Sequence, residues 1–300
     1  MRYASFPVSL RQIQYAVAVA DTLSFRRAAE RCFVSQPALS AQLGELETAL
    51  GLSLFERDKK RVLLNPGAAP LIERMRALLL EADDLFSTAQ NLKDPLSGTL
   101  RLGVIPTVSQ YWLPDASRTL KKKFPRLTVV WTEEKTDVLL QRLNAGELDA
   151  ALLALESDLG DLEQAVIARD PFVLAMPLKH PLASSDKPIS MSALAGEPML
   201  LLDEGHCLRE QALAACKNTN IEERGFRATS LPTLAQMVGS GAGITFLPSI
   251  AVETERKRGA LATRSLANPV PFRTLGFAWR KSSPARGALQ ALAHALKDSK

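Results

Sequence analysis

The residues that offer chemistry are two cysteines in the segment LLLDEGHCLREQALAACKN, Cys207 and Cys216, nine positions apart. Between them LREQALAA is strongly helix-forming. On a helix, nine residues advance ~13.5 Å and turn ~900°, half a turn beyond two full circles. The two thiols then face opposite sides. A disulfide needs Cα atoms within about 7 Å, so the pair is unable to bond while the helix exists. Joining them requires unwinding, and bond formation coupled to local refolding is what a redox switch needs. Cys207 also follows a strand and the turn Asp203–Gly205, at the start of a helix, where the macrodipole favours a thiolate. His206 and Arg209 add positive charge or hydrogen bonds there, while Asp203 and Glu204 oppose them. A plainer reading stays open: two buried cysteines acting as small hydrophobes. Zinc held by Cys207, Cys216 and His206 is a weak alternative. The absence of a C-x-x-C motif excludes a thioredoxin-like enzyme. Cys216, on the alanine-rich end of the helix, is expected to be buried, and Cys32 is expected to be a packing residue.

The elements that must position these cysteines alternate between strand and helix. Strand-like runs are Leu100–Ile105, Leu127–Thr132, Ala150–Leu153, Phe172–Met176, Met199–Leu202, Ile244–Leu247 and Leu275–Trp279. Helical runs are Tyr111–Phe124, Asp137–Asn144, Cys207–Cys216, Leu231–Val238 and Pro284–Leu296. The alternation predicts parallel sheets with helices on both faces. GSGAGIT at Gly239–Thr245 follows a helix and precedes a strand, the reverse of a dinucleotide fingerprint. It reads as a turn, so no cofactor is expected.

Ahead of this body lies a compact helical head. Leu10, Ile13, Val17 and Ala20 recur at helical spacing, and a short helix is predicted from Phe25 to Arg31. In VSQPALSAQLGELETAL, Ser35 is a good N-cap and Pro37 fits the first turn. Two short helices, the second carrying Ser and Gln near its start, have helix-turn-helix form. Ser35, Gln36, Pro37, Ser40 and Gln42 are the candidates to face base edges in a major groove. LSLFERDKKRVLLNPG reads as strand, basic turn and strand, with Arg57, Lys59, Lys60 and Arg61 as a wing suited to phosphates. A small helical bundle with a charged hairpin explains the same pattern.

Residues 68–92 carry the cleanest periodicity: Leu71, Met75, Leu78, Ala82, Leu85, Ala89 and Leu92 follow four-three spacing. Ile72, Leu79 and Phe86 add a second stripe. This predicts a dimerisation helix, because a helix joining two domains has little surface of its own chain to cover it. DPLSGT at Asp94–Thr99 marks the next boundary.

Composition narrows the class without choosing within it. The chain has 300 residues, 46% hydrophobic and 23% charged, with a net charge of +5, which suits a globular chain of about two domains. Three cysteines exclude a disulfide scaffold and a four-cysteine zinc site, and no metal is expected. Apolar runs are too short to span a bilayer. Early charged and polar residues argue against an export signal, so a cytoplasmic location is expected. Residues 1–66 hold nine Lys/Arg against six Asp/Glu, a basic head compatible with nucleic acid.

Taken together, these residues resemble the LysR-type transcriptional regulators. SFRRAAERCFVSQPALSAQLGELETALGLSLFER resembles their winged helix-turn-helix, and the resemblance covers essentially the whole chain. LRLGVIPTVSQYWLP, EEKTDVLLQRLNAGELD, LLDEGHCLREQAL with Cys216, FRATSLPTLAQMV and SGAGITFLP resemble the hydrogen-peroxide-sensing branch of that family. The fold implied is α/β. A DNA-binding domain spans 1–66 and a linker helix 67–94. A two-lobed effector domain like periplasmic binding proteins spans 95–300, with lobe I about 97–168 and 275–300 and lobe II about 169–274. The resemblance implies that peroxide oxidises Cys207 to a sulfenic acid, which Cys216 resolves to an intramolecular disulfide. Thr107 and Thr136 match positions that hold peroxide, His206 and Gln211 match further pocket residues, and Arg273 matches an arginine stabilising thiolate or leaving hydroxide. It further implies promoter DNA, a homotetramer, RNA polymerase, and glutaredoxin or thioredoxin as reductant. Two rivals stand beside it: a family member responding to a small carboxylate, and a thiol peroxidase.

Overall fold

The computed structural model describes residues 6–58, 61–91, 94, 96–217 and 222–297. The chain divides into two compact units, residues 1–89 and 90–300.

In the first unit, α1 (Leu10–Thr22), α2 (Phe25–Arg31) and α3 (Gln36–Leu50) pack around a core that includes Ile13, Val19, Leu39, Leu43 and Leu46. Each helix starts on a serine whose hydroxyl accepts an otherwise unpaired backbone N–H: Ser9, Ser24 and Ser35. Antiparallel strands β1 (Phe55–Asp58) and β2 (Arg61–Leu64) form the hairpin. Glu47 fastens it to α3, its carboxylate accepting from the Leu54 amide at 2.8 Å.

The long helix α4 runs from Ala69 to Asn91, and its apolar stripe divides into two parts. Ile72 and Met75 are buried in the head core, and Leu71 packs against it. This corrects the expectation for Met75 and Leu71: the first turns of α4 are covered by their own chain, because α1 to α3 present an apolar surface to them. Leu78, Leu85 and Phe86 are 53%, 69% and 71% exposed, so only the later turns leave an apolar face open. Leu92 lies outside the described residues.

The second unit holds β3 (Gly98–Val104), α5 (Pro106–Ser109), α6 (Leu113–Lys123), β4 (Leu127–Glu133), α7 (Thr136–Asn144), β5 (Ala150–Ala154) and β6 (Leu162–Pro177). There follow β7 (Pro198–Leu202), α8 (Cys207–Ala215), β8 (Glu222–Ala228), α9 (Leu231–Gly239) and β9 (Thr245–Pro248). The chain closes with α10 (Ser249–Arg258), β10 (Leu261–Ser265), β11 (Phe272–Arg280) and α11 (Arg286–Lys297). The main sheet runs β10-β6-β11-β5-β3-β4, with β9 also on β6. It is mixed rather than parallel: β3 pairs in parallel with β4 and β5, whereas β11 and β6 run antiparallel to their neighbours. The expectation of purely parallel sheets fails because β6 and β11 pass between two cores rather than returning through a helix within one.

Those two cores are separate. One gathers Leu102, Leu152, Ile167, Leu275, Phe277 and Leu292 among others. The other gathers Phe172, Leu174, Met199, Leu201, Leu234 and Phe246. Strand β6 serves both, pairing with β11 from Leu162 to Pro171 and with β9 and β10 from Phe172 onward. A smaller parallel pair, β7 and β8, supports α8.

Candidate functional site

Three chain segments meet at Cys207. The cysteine is the first residue of α8, and His206 is the N-cap. Thr136 is the first residue of α7, and Thr107 lies in the short helix α5 that follows β3. The turn ahead of α8 needs Gly205, whose φ of +81° is open chiefly to glycine and where a Cβ would meet the Lys135 side chain at 3.2 Å. Helix starts are natural places for such residues, because their leading N–H groups have no partner within the helix.

Behind the cysteine is a closed polar clamp. Arg273 on β11 is fully buried. Its Nε donates to Asp170 Oδ2 at 2.9 Å, its Nη1 to Thr107 Oγ1 at 2.7 Å and its Nη2 to the Thr107 carbonyl at 3.2 Å. Asp170, equally buried on β6, accepts on its other oxygen from Ser249 Oγ at 2.7 Å and the Ile250 amide at 3.2 Å. One charge pair thus ties together β6, β11, α5 and the start of α10. Of the five N–H donors of a guanidinium, these bonds engage three.

The polar groups nearest the sulfur are left open. His206 Nε2 and Gln211 Oε1 are buried and make no hydrogen bond within the described residues, and the buried Thr136 hydroxyl has only the Cys207 sulfur beside it. The other ring nitrogen of His206 bonds the backbone of Thr229. Unpaired buried polar atoms cost free energy, so a group that supplied partners here would be retained. A void of about 10 Å³ between Thr107, Thr136 and Cys207 is of the size of a single water. It adjoins a pocket of about 450 Å³ that Gln211, Glu156 and Glu210 also line.

Burial pushes the Cys207 thiol above its ordinary value. Arg273, the Thr136 hydroxyl and the Leu208 amide pull the other way, and Glu156 adds a small upward push. His206 is held below the usual imidazole range by burial and by Lys135, so it is a neutral ring at pH 7. With the thiol raised, the thiolate fraction grows about tenfold per pH unit below the pKa. Oxidation of Cys207 is therefore expected to accelerate steadily from pH 6 to pH 8. Stopped-flow rates that stay flat over that span would mean an already ionised sulfur.

Cys216 caps the far end of α8. It is buried, its sulfur 3.8 Å from the Met199 sulfur, and burial pushes its thiol up to about 11. It is inert in this arrangement. The first half of α8 is anchored: Arg209 makes a two-pronged ion pair with Glu223 on β8, at 2.9 and 3.1 Å. In the last turn Leu213 and Ala214 are exposed, while Ala212, Ala215 and Cys216 pack against the second core.

Among the expected site residues, Thr107, Thr136, His206, Cys207 and Arg273 come together, and Gln211 lines the adjoining pocket. Cys216 stands apart, with α8 intact between the two sulfurs. Asp170, Glu156 and Lys135 were not anticipated. Asp170 precedes a proline in a strand and carries no local signal of its long-range partners.

In the first unit, Ser35, Gln36 and Pro37 are exposed at the start of α3, while Ser40 and Gln42 are half-buried. Ser35 spends its hydroxyl on the Ala38 amide, and the Gln42 amide donates to Glu45 at 2.9 Å. Arg61 is exposed on β2. Lys59 and Lys60 lie outside the described residues, as does the side chain of Arg57.

Residues 10–69 match the bacterial regulatory helix-turn-helix protein model of the lysR family, and residues 93–300 match the LysR substrate binding domain. The chain belongs to the LysR family of regulators. Within it, the chain is similar to the OxyR group. It is 40% identical over 291 residues to the DNA-binding transcriptional dual regulator OxyR of Escherichia coli K12, covering 97% of this chain and 95% of that one. A full-length OxyR cysteine-to-aspartate variant from Pseudomonas aeruginosa superposes with a TM-score of 0.79 at 35% identity, over 97% of this chain and 95% of that one. A cysteine-to-serine OxyR mutant from Corynebacterium glutamicum with hydrogen peroxide bound gives 0.67 at 30% identity, over 99% and 94%.

Proposed function

We propose that this protein is a hydrogen-peroxide-responsive transcriptional regulator that controls antioxidant genes, with Cys207 as the reacting sulfur. The observation that carries this reading is the placement of that sulfur. It lies among buried polar atoms that await a partner, the Thr136 hydroxyl, His206 Nε2 and Gln211 Oε1, at one end of a helix whose other end holds the second cysteine. The Cys207 thiolate attacks one peroxide oxygen and the O–O bond breaks. Cys207 becomes a sulfenic acid, and the departing hydroxide takes up a proton to leave as water. Arg273, held by Asp170 and Thr107, stabilises charge on the departing oxygen, while Thr107, Thr136, His206 and Gln211 hold peroxide. The last turn of α8 then unwinds. The Cys216 sulfur attacks the sulfenic sulfur, water leaves, and a Cys207–Cys216 disulfide remains. Each cycle consumes one peroxide and ends in an oxidised protein, so the chain is a sensor rather than an enzyme until glutaredoxin or thioredoxin resets it.

The output is DNA-bound and cytoplasmic. The domain at 1–66 docks Ser35, Gln36, Pro37, Ser40 and Gln42 in the major groove. Arg57, Lys59, Lys60 and Arg61 contact phosphates. The 67–94 linker pairs two chains through Leu78 and Leu85, and two such dimers make a tetramer. Rearranging α8 within the 95–300 domain shifts the four heads and their access to RNA polymerase. Leu78→Asp places a charge in that seam and is expected to dissociate the assembly in sedimentation velocity; wild-type sedimentation would refute the seam.

The deciding experiment treats reduced protein with sub-stoichiometric hydrogen peroxide and maps the cysteines by mass spectrometry. A Cys207–Cys216 crosslink is expected. An untouched Cys207 would favour a regulator answering to a small carboxylate instead.

A further inference from the structure

The pocket of about 450 Å³ that leads to Cys207 is lined by four carboxylates, Asp137, Glu156, Asp158 and Glu210, and by no lysine or arginine among the described residues. All four are exposed at its rim. Two cations nearby are already paired. Arg273 is held by Asp170 at 2.9 Å. Lys135 donates to the Glu204 carbonyl at 2.8 Å and lies 3.8 Å from Asp203. At the sulfur itself the pull of Arg273 outweighs the small push of Glu156, so the rim acts at the entrance. At the inner end, buried Thr136 and His206 offer neutral polar atoms.

We infer that this acidic rim selects the oxidant by charge: neutral peroxides reach Cys207, while anionic oxidants, anionic thiols and carboxylate effectors are turned away. The inference deepens the peroxide-sensing reading and rests on it for the identity of the oxidant, but its physical content is a property of the entrance alone. A carboxylate ligand needs a free cation or a cluster of donors to offset desolvation. Here the lining sets four carboxylates against it and offers no cation, Lys135 beside Gly205 being already engaged by Glu204 and Asp203. Hydrogen peroxide carries no charge and passes. Four unit charges within about a Debye length reduce the local concentration of a monoanion roughly tenfold in dilute buffer and a few-fold at physiological salt.

The test uses the reduced full-length protein and two alkylating reagents of similar size, neutral iodoacetamide and anionic iodoacetate. Their rates at Cys207 are read peptide by peptide, with Cys32 as an internal reference beside Arg31 and remote in sequence from the rim. Both reagents attack the thiolate, so a change in pKa cancels in the ratio. In dilute buffer the iodoacetamide-to-iodoacetate ratio at Cys207 is expected to exceed that at Cys32 about tenfold and to fall toward it in molar salt. In Glu156→Gln/Glu210→Gln the ratio is expected to drop at least threefold, and adding Asp137→Asn and Asp158→Asn brings it to the value the wild type shows in molar salt. Glu156→Gln keeps an oxygen for the Thr274 amide, which Glu156 Oε1 accepts at 2.6 Å. A wild-type ratio equal to that of Cys32, a ratio unmoved by the substitutions, or no labelling of Cys207 by either reagent would overturn the inference. None of these readings depends on peroxide, so a failure of the sensing reading is seen separately in the crosslinking experiment.

Discussion

Asp170→Ala is expected to cost the 90–300 unit about 3–5 kcal/mol of stability, because it strands a fully buried guanidinium without its counter-charge. Arg273 and Asp170 are both at zero exposure, so bulk solvent does not reach the survivor. The same substitution removes the acceptor from Ser249 and Ile250, loosening the start of α10. For a unit of this size the loss corresponds to a fall in Tm of roughly 10 °C. Arg273→Met alone should be comparably harmful, since it leaves the carboxylate buried and unpaired. The double variant should be milder than the sum of the two, because an apolar pair asks for no solvation. Differential scanning calorimetry of the three variants closes the cycle. Single variants within about 1 kcal/mol of the wild type would show that solvent reaches the pair and that it is no rigid clamp.

Cys207→Ser is expected to abolish the peroxide response altogether while leaving promoter binding intact. Serine fits the same space, and its hydroxyl can use the partners now near the sulfur, so α8 should form normally. Its hydroxyl ionises too weakly to attack a peroxide at neutral pH, so neither sulfenic acid nor crosslink forms. Cys216→Ser separates the two stages: Cys207 should still become a sulfenic acid, trapped by dimedone, with no crosslink to follow. A reporter promoter that still responds to peroxide in Cys207→Ser would remove this cysteine from the mechanism.

Much of the site was legible because its elements advertise themselves locally. LREQALAA is helix-forming in isolation, and α8 spans Cys207–Ala215 as its composition requires. The hydrophobic period of α4 was equally plain, though not how its stripe is shared: Ile72 and Met75 turn inward because of α1 to α3, a tertiary fact no period reports. Strands β8 and β10 escaped notice because EERGFRA and LATRS are charged and short and owe their extension to neighbours. Strand β6 was read only from Phe172 onward, since LEQAVIARDP mixes polar and apolar residues for a strand that changes cores partway. Helix α10, SIAVETERKR, carries little apolar signal. The Asp170–Arg273 pair joins residues 103 positions apart, and the acidic rim is assembled from three separate segments. Both exist only after folding.

The passage of β6 through two cores has a mechanical meaning. A ligand-gripping protein of two lobes works as a clamshell and needs compliant hinges. Here the would-be hinge is a ladder, with β6 stitched to β11 from Leu162 through Pro171 and onward to β9 and β10. Bending it means shearing several backbone hydrogen bonds, each worth about 1 kcal/mol, beside a buried ion pair. The body is better suited to act as a stiff frame than as a closing clamp.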